Sequence, residues 1–389
     1  MNILVNASNL KTGGGVQVAD SVCCRLGNYP EHRFVVVLSS AFAETRRRLD
    51  EAGCANVRVF THDVRNSVPT VLLGRDTFLD RLVGEYEVHA VLTMFGPSRW
   101  NPRCPHLSGF AMPHLVLPDS PFFLRMNRWQ RGRQRLRSAV LAYFFRRSSR
   151  HFYTENPYIS AKVRKLFPGS EVYTVSNYYN QVYDRPGMWR ERKLPAFEGT
   201  TLLTVTAAYP HKNLGISLDV ARLLRRDHPD FRFRFVFTIG EGDFPQVPEE
   251  LRAHFLFLGK VDITACPSLY AQCDIMFQPT LLECFTATYP EAMKMCRPIV
   301  TTDIEFARGL CGDAARYYSP LSADAAAGAV YEVAVNEGGI RERLVAEGLR
   351  RLAKFDNYEQ RTDKLIGILE RMANTGGKVD GSIVKSELP

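Results

Sequence analysis

Two glutamates in the second half of the chain, Glu283 and Glu291, are separated by seven residues. The apolar run 274–279 predicts a short buried strand that leads to a loop at Glu283, and the run 290–295 predicts a helix with Glu291 in its first turn. Two carboxylates placed in this way can bind two separate polyols of one ligand. Main-chain N–H groups at the start of the helix can face a phosphate between them, which is the arrangement that a nucleotide sugar needs.

Two other motifs follow predicted strands and open predicted helices. Gly13, Gly14 and Gly15 allow the main chain to approach a phosphate or a sugar where a Cβ would collide, but they form no dinucleotide-binding G-x-G-x-x-G fingerprint. Lys212 adds a positive charge beside a helix start and suits a diphosphate. Taken alone, each motif also has a structural explanation. The glycines fit a plain strand–helix turn, and the lysine fits a solvated turn capped by Asn213. Each glutamate fits an exposed loop or a position favoured by the helix dipole. Together the motifs favour a ligand site.

Apolar runs alternate with helical patterns along the chain, in two series. The predicted strands are 3–5, 34–38, 57–60 and 90–93, then 202–205, 233–237, 255–258, 275–277 and 299–301. The predicted helices are 15–28, 40–52 and 70–84, then 212–226, 264–271, 290–296, 322–335 and 338–353. This alternation predicts an α/β fold of two doubly wound parallel sheets that face one another, with a ligand cleft between them at the carboxyl ends of the strands.

A chain of 389 residues is long enough for two domains. We expect the first domain to span 1–180 and the second 181–357, joined by a polar connector, and we expect residues 375–389 to form a flexible tail. The start of the chain predicts a strand rather than a signal peptide, and no apolar run approaches the length of a membrane span, so we expect a cytoplasmic protein. Nine scattered cysteines without a C-x-x-C pair indicate neither a disulfide framework nor a zinc site.

The net charge of +9 is concentrated in one segment. Residues 121–150 contain nine arginines and no acidic residue, interleaved with aromatic and aliphatic side chains. This pattern predicts a basic helix that contacts an anionic membrane surface at its cytoplasmic face. The alternatives are a solvated helix with an apolar face on the core, or contact with nucleic acid, for which no recognition motif is present. The residues that we expect to contact membrane or acceptor are Arg125, Arg128, Trp129, Arg131, Arg133 and Arg135.

On these motifs the chain resembles two-domain glycosyltransferases of the GT-B fold, in the large retaining group called family 4. The resemblance spans nearly the full length, and its most specific carrier is the E-x7-E pattern from Glu283 to Glu291. The other carriers are Gly13-Gly14-Gly15, Val175-Ser176-Asn177, Pro210-His211-Lys212-Asn213 and Leu258-Gly259-Lys260-Val261. The resemblance implies two Rossmann-like domains, with the last helix, 358–373, crossing back to complete the first.

The resemblance also implies roles for individual residues. Glu283 would bind the hydroxyls of the donor sugar, Glu291 the ribose hydroxyls, and Lys212 would neutralise the diphosphate. Further donor contacts are implied at Gly14, Gly15, Val261, Phe285, Thr286, Ala287 and Thr288. His114 is our candidate for a first-domain histidine near the sugar, with a structural role as the alternative.

The chain departs from the family pattern in two places. Cys284 stands where the family usually has a glycine, and Thr286-Ala287-Thr288 stands where it usually has Gly-Leu before the helix, which should narrow or reshape the sugar pocket. Thr206 stands where an arginine is common, so a second positive charge must come from elsewhere, or Lys212 and main-chain amides suffice. No Asp-x-Asp pair occurs, and we expect neither a metal nor another cofactor. Catalysis would then consist mainly of positioning and of stabilising the leaving diphosphate, which could itself take the acceptor proton.

We therefore expect a glycosyltransferase that moves a hexosyl group, with retention, from a nucleotide sugar to a glycan or lipid-linked glycan of a cell-surface polysaccharide or lipopolysaccharide. Two alternatives stay open. One is a nucleotide-sugar epimerase or hydrolase of the same fold, and the other is a catalytically silent binding or scaffolding protein. Turnover of the donor without an acceptor distinguishes the first alternative, and failure to bind any nucleoside diphosphate distinguishes the second.

Overall fold

The computed structural model describes residues 1–11, 13–64 and 67–378, which form two compact units. The first unit consists of Met1–Val116, Arg128–Asn177 and the chain from Asp356 onward as far as it is described. The second consists of Leu117–Asn127 and Tyr178–Phe355. The chain thus passes between the units after Asn177 and after Phe355. The boundaries predicted from the sequence lie at 180 and 357. The short Leu117–Asn127 stretch leaves the first unit and packs in the second.

Parallel sheets form the centres of both units. The seven described strands of the first sheet are β1 Asn2–Ala7, β2 Arg33–Leu38, β3 Val57–Thr61, β4 Ala90–Thr93, β5 His106–Gly109, β6 His151–Thr154 and β7 Glu171–Thr174. They lie in the order β3-β2-β1-β4-β5-β6-β7. The six described strands of the second sheet are β8 Thr200–Thr204, β9 Phe233–Phe237, β10 Phe255–Phe257, β11 Ile275–Gln278, β12 Ile299–Thr302 and β13 Ala315–Tyr318. They lie in the order β10-β9-β8-β11-β12-β13.

Helices connect the strands. In chain order they are α1 Gly14–Cys23, α2 Ala43–Ala52, α3 Thr77–Glu85, α4 Pro113–Val116, α5 Arg128–Ser148, α6 Pro157–Leu166, α7 Ile216–Asp227, α8 Cys266–Gln272, α9 Thr288–Lys294, α10 Glu305–Cys311, α11 Ala323–Val335, α12 Ile340–Leu352 and α13 Tyr358–Asn374. Most strand residues are buried, as parallel sheets between helix layers require, whereas the edge strand β3 has exposed residues at Arg58 and Thr61. The predicted α/β fold with two parallel sheets is confirmed.

Several elements differ from their predictions. The helix predicted over 70–84 is split: a single π-type turn spans Pro69–Leu73, and α3 begins anew because the Asp76 side chain accepts hydrogen bonds from the N–H groups of Phe78 and Leu79. Strands β6, β7 and β13 were not predicted, because each has only four residues and mixes polar with aromatic side chains.

The last helix, α13, packs in the first unit. It begins with a capping box in which Asn357 and Gln360 bond reciprocally to each other's main chain. Its apolar face contributes Leu365, Leu369 and neighbouring residues to the core of that unit. The predicted flexible tail, 375–389, is described as far as Lys378, and 379–389 lie outside the described residues.

The two points at which the chain enters and leaves the second unit are bonded together. The Ser176 N–H donates to the Asp356 carboxylate at 3.0 Å, and the Asp356 N–H donates to Ser176 Oγ at 2.6 Å. Asn177 accepts a hydrogen bond from the buried guanidinium of Arg361 on α13. The Val175-Ser176-Asn177 motif therefore holds α13 in register with the end of the first sheet.

Candidate functional site

Two loops at the carboxyl edge of the second sheet carry Lys212 and Glu283. They follow β8 and β11, which are neighbours in the sheet. The Leu281 N–H donates to the His211 carbonyl at 2.8 Å, so the main chains of the two loops are joined directly. Strand adjacency and this bond bring the two predicted residues together at the edge where open α/β sheets bind ligands.

Lys212 and Glu283 form an ion pair. The ammonium group donates to Glu283 Oε1, which also accepts from Thr280 Oγ1 at 3.1 Å. The lysine side chain is 11% exposed and the glutamate 13%, so the pair is shielded but not sealed from solvent. The two charges cancel each other, and a ligand must therefore exchange partners with them rather than meet a free cation and a free anion.

The turn that presents Lys212 is a single 3-10 turn, Pro210–Lys212, and not the start of a helix as predicted. It ends at Asn213, which adopts left-handed backbone with φ 53°, a conformation that asparagine tolerates better than most residues. The helix α7 begins only at Ile216. The ring of His211 stacks on Tyr209 with centroids 5.5 Å apart, and burial lowers the pKa of His211, so this histidine is neutral at physiological pH.

The interval between the two glutamates is filled by buried side chains. Cys284, Thr286 and Thr288 are all buried. The Thr286 and Thr288 hydroxyls share a hydrogen bond at 3.0 Å, and the Gln278 amide donates to Thr288 Oγ1 at 3.4 Å. Thr286 and Thr288 therefore anchor the start of α9 to the end of β11. Of the other predicted donor contacts here, Ala287 lies directly before α9, and Phe285 packs edge-on against Phe355.

Glu291 lies inside the second unit, in the first turns of α9, and is 4% exposed. Tyr270 on α8 donates its hydroxyl to Glu291 Oε2 at 3.1 Å. The Tyr183 hydroxyl lies near the same carboxyl group without regular hydrogen-bond geometry. Burial raises the pKa of Glu291 to about 7, against the lowering effect of the two tyrosines. Near neutral pH this residue is thus poised between its charged and its neutral form.

The main chain near Val261 lies on the loop after β10, where Gly259 has a positive φ of 71°. The Leu258 N–H donates to the carbonyl of Phe237 at the end of β9, so this loop also emerges from the carboxyl edge of the second sheet. Val261 is half-buried. Its position at this edge agrees with a main-chain contact to a ligand but does not by itself assign one.

The candidates in the first unit are Gly14, Gly15 and His114. A Cβ on Gly14, the first residue of α1, would meet no atom within 4 Å, whereas a Cβ on Gly15 would lie 3.3 Å from Phe95. Packing therefore explains Gly15 but not Gly14. His114 lies on α4, and burial together with Arg137 lowers its pKa to about 4. Within the described residues its Nε2 atom has no hydrogen-bond partner.

The arginine-rich segment is divided between the units. Residues 121–125 form a 3-10 turn in the second unit, and α5 begins at Arg128 in the first. On α5 the indole of Trp129 is 88% exposed, and Leu136, Val140 and Tyr143 are also exposed. Near its end, Arg147 donates to the carbonyl groups of Thr70, Val71 and Arg99.

Sequence reasoning missed Tyr183, Tyr270 and the contacts of the Leu117–Asn127 stretch. Tyr270 reaches Glu291 from another helix, and no periodic pattern marks such a pair. Across residues 1–11, 13–64 and 67–378, no cluster of three or more His, Cys, Asp or Glu side chains suits a metal ion, and the expectation of a metal-free site stays a prediction. In the same ranges, no helix combines the length and the apolar character needed to cross a membrane.

Part of the chain matches a known family. Residues 199–336, from β8 to α11, match the family model described as glycosyl transferases group 1. A phosphatidyl-myo-inositol mannosyltransferase of Mycolicibacterium smegmatis is 27% identical to this chain over 179 residues. The match covers 44% of this chain and 45% of the mannosyltransferase, so the chain spans less than half the length of that relative.

Solved structures resemble the chain over nearly its full length. A glycosyltransferase from Rickettsia africae has a TM-score of 0.69 at 14% identity, covering 95% of this chain and 98% of that one. A sucrose-phosphate synthase from Thermosynechococcus elongatus has a TM-score of 0.66 at 12% identity, with coverage of 96% and 99%. Anabaena HepE in complex with UDP has a TM-score of 0.65 at 15% identity, with coverage of 95% and 100%. The two parallel sheets of this chain therefore have the fold of GT-B glycosyltransferase structures.

Proposed function

We propose that this chain is a glycosyltransferase that transfers a hexosyl group, with retention, from a nucleotide sugar to a glycan or lipid-linked glycan of the cell surface. The observation that carries the proposal is the Lys212–Glu283 ion pair, with Glu291 on the adjacent helix, at the carboxyl edge of the second sheet. All three residues lie within the segment that matches the glycosyl transferases group 1 model. A relative that is a mannosyltransferase and a fold relative in complex with UDP support the same proposal.

Each charged residue has a role that its surroundings permit. The diphosphate of the donor replaces Glu283 as the hydrogen-bond acceptor of the Lys212 ammonium. The sugar hydroxyls then donate to the Glu283 carboxylate in place of the lysine. Glu291 in its charged form accepts from the ribose hydroxyls. His114 has a pKa lowered to about 4, and its Nε2 atom has no hydrogen-bond partner within the described residues, so its neutral ring can accept a hydrogen bond from a ligand hydroxyl. The departing diphosphate accepts the acceptor proton, so the reaction needs positioning and charge stabilisation more than a protein base.

Calorimetric titration with a panel of nucleoside diphosphates tests the donor site. Glu291→Ala should weaken nucleotide binding, and Glu283→Ala should reduce transfer more than it reduces nucleotide affinity. Mass spectrometry of lipid extracts incubated with a panel of sugar nucleotides then tests transfer. Binding of none of the nucleoside diphosphates contradicts the proposal and leaves a scaffolding role. Donor turnover without an acceptor product would favour the epimerase or hydrolase.

The exposed face of α5 supports a second part of the proposal, that the protein is peripheral to the cytoplasmic face of a membrane. Arginines and exposed apolar side chains alternate along α5, and the sequence of α5 contains no acidic residue. Val68, Leu72 and Leu73 are also exposed, on the turn whose carbonyl groups Arg147 binds. Basic residues near an anionic surface contribute about 1 kcal/mol each, and the aromatic and aliphatic groups add apolar burial.

Co-sedimentation with vesicles tests this second part. We expect binding to vesicles that contain phosphatidylglycerol and none to pure phosphatidylcholine, at low salt. Trp129→Ser and Arg133→Gln should each weaken the binding, while Arg222→Gln, on the exposed side of α7 in the second unit, serves as the charge control for Arg133→Gln. Wild-type protein that stays in the supernatant with anionic vesicles at low salt would contradict membrane contact.

A further inference from the structure

The Leu117–Asn127 stretch, here called the 117–127 segment, is built into the loops of the candidate donor site. It comes from the first half of the sequence but packs entirely in the second unit. Ser120 Oγ donates to the carbonyl of Leu281 at 2.6 Å, which attaches the segment to the loop that carries Glu283. Phe122 packs edge-on against His211, with ring centroids 6.3 Å apart, which attaches it to the loop that carries Lys212.

Arg125 completes these attachments. One N–H of its guanidinium donates to Oδ1 of Asn213, the residue that directly follows Lys212. The side chain of Asn213 is buried, and its position is fixed by the left-handed turn described above. The contact with Asn213 uses one of the five N–H donors of the guanidinium, and it leaves a planar group suited to bidentate binding of phosphate oxygens.

Arg125 supplies the positive charge that the residues of the two loops together lack. Glu283 neutralises Lys212, and His211 is uncharged at physiological pH because burial lowers its pKa. In the part of the chain that the structure describes, Arg125 forms no ion pair with an acidic side chain. The net charge of these four residues is therefore that of the Arg125 guanidinium. The diphosphate of a sugar nucleotide is a dianion, and the single charge of Lys212 does not balance it even after the lysine has left Glu283.

We propose that Arg125 is a diphosphate-binding residue of the donor site, supplied by the 117–127 segment and held next to Lys212 by Asn213. This inference rests on the proposed function, since it names a further contact for the same donor. It also gives Arg125 a role different from the membrane contact predicted for the arginines of α5. The arginine that is absent at position 206 is thereby replaced from another part of the chain.

Nucleotide affinity of Arg125 variants tests the inference. Arg125→Gln removes the charge but retains an amide that can donate to Asn213, and Arg125→Lys retains the charge without the planar fork. Calorimetry would use whichever of UDP, GDP, ADP, CDP and dTDP the wild type binds most tightly, together with the corresponding nucleoside. A lost charged hydrogen bond to phosphate predicts about tenfold to hundredfold weaker binding of the diphosphate by Arg125→Gln. Nucleoside affinity should stay within about twofold, because no phosphate is present.

The controls separate charge from loop positioning. Arg222→Gln removes an exposed arginine that pairs with Asp219 on the same unit, and it should bind the diphosphate like the wild type. Arg125→Lys should retain most of the affinity that Arg125→Gln loses. Equal diphosphate affinity in Arg125→Gln and wild type would overturn the inference and leave the proposed function intact. Equal weakening for diphosphate and nucleoside would also overturn it, because that result indicates a displaced loop. A wild type that binds no diphosphate removes the proposed function itself.

Discussion

Replacing Tyr270 with phenylalanine removes the hydroxyl that donates to Glu291 Oε2 at 3.1 Å and leaves the ring in place. Both residues are buried, so no bulk water replaces the lost donor. The hydrogen bond favours the charged carboxylate, and its loss therefore favours the protonated form. We expect the pKa of Glu291, already raised by burial to about 7, to rise further in Tyr270→Phe.

The size of the change follows from the strength of a hydrogen bond to a charged group. Such a bond contributes about 1.5–3 kcal/mol, and one pH unit corresponds to about 1.4 kcal/mol. The pKa of Glu291 should therefore rise by about one to two pH units in the variant. If the carboxylate form of Glu291 accepts the ribose hydroxyls, donor affinity in the wild type increases as pH rises through about 7. In Tyr270→Phe the same increase should occur at a pH higher by that amount.

The assay is calorimetric titration between pH 5.5 and 9.5 with an intact sugar nucleotide, since its diphosphate has no ionisation of its own near neutrality. Burial lowers the pKa of His114 to about 4, below this range, and lowers that of His211, whereas the expected shift in Tyr270→Phe is towards higher pH. Glu291→Gln should lose the pH-dependent step. Tyr317→Phe, which removes a hydroxyl that bonds to the Gly312 carbonyl, should leave the midpoint unchanged. A midpoint in Tyr270→Phe that equals the wild-type value would refute the link between Tyr270 and the charge of Glu291.

Three other expectations concern separate parts of the molecule. Lys212→Met should weaken nucleoside diphosphate binding by about tenfold or more in a calorimetric titration. Glu283→Gln removes the carboxylate that competes for the lysine, so it should bind the nucleotide as tightly as the wild type or tighter. Its transfer rate should nevertheless fall in a product assay. Asn357→Ala should lower the stability of the first unit by about 1 kcal/mol through loss of the α13 capping box, measurable as a reduced urea midpoint. Gly109→Ala should prevent normal folding, because its Cβ would lie 2.0 Å from the Met94 carbonyl oxygen. Gly84→Ala on α3, whose Cβ would meet no atom within 4 Å, should leave the melting temperature unchanged or raise it. Circular dichroism melting measures both.

The elements that sequence reasoning located are those with a strong apolar signal. β9 was predicted at its observed bounds, because Phe233, Phe235 and Phe237 alternate with other buried residues. The resemblance assigned Lys212 and Glu283 to one donor, and the structure explains their closeness, since each residue follows one of two neighbouring strands. The 3-10 turn at Lys212 was not foreseen, because the left-handed conformation of Asn213 depends on its local contacts.

Contacts between distant parts of the chain carry no such signal. Arg125 and Asn213 are separated by 88 positions, and their hydrogen bond depends on the 117–127 segment leaving one unit for the other. The sequence groups Arg125 with the arginines of α5, because charges are counted along one continuous segment. A charge count does not show that the chain changes units between Asn127 and Arg128. The tyrosines around Glu291 are equally hard to identify from the sequence, although they lower the pKa of that carboxyl group against the larger effect of burial.

Under the proposed function, the pairing of Lys212 with Glu283 would make the donor site selective for a ligand that contains both a phosphate and a sugar. A diphosphate alone can take the lysine but leaves the Glu283 carboxylate with the Thr280 hydroxyl as its remaining named donor. A sugar alone offers hydroxyls to Glu283 but no anion for Lys212. Only a molecule that joins phosphate and sugar gives both charges a new partner at once, so separating the pair costs least for the intact donor. If Arg125 binds the diphosphate as proposed, it would favour the phosphate without pairing with Glu283, because its guanidinium is bonded to Asn213.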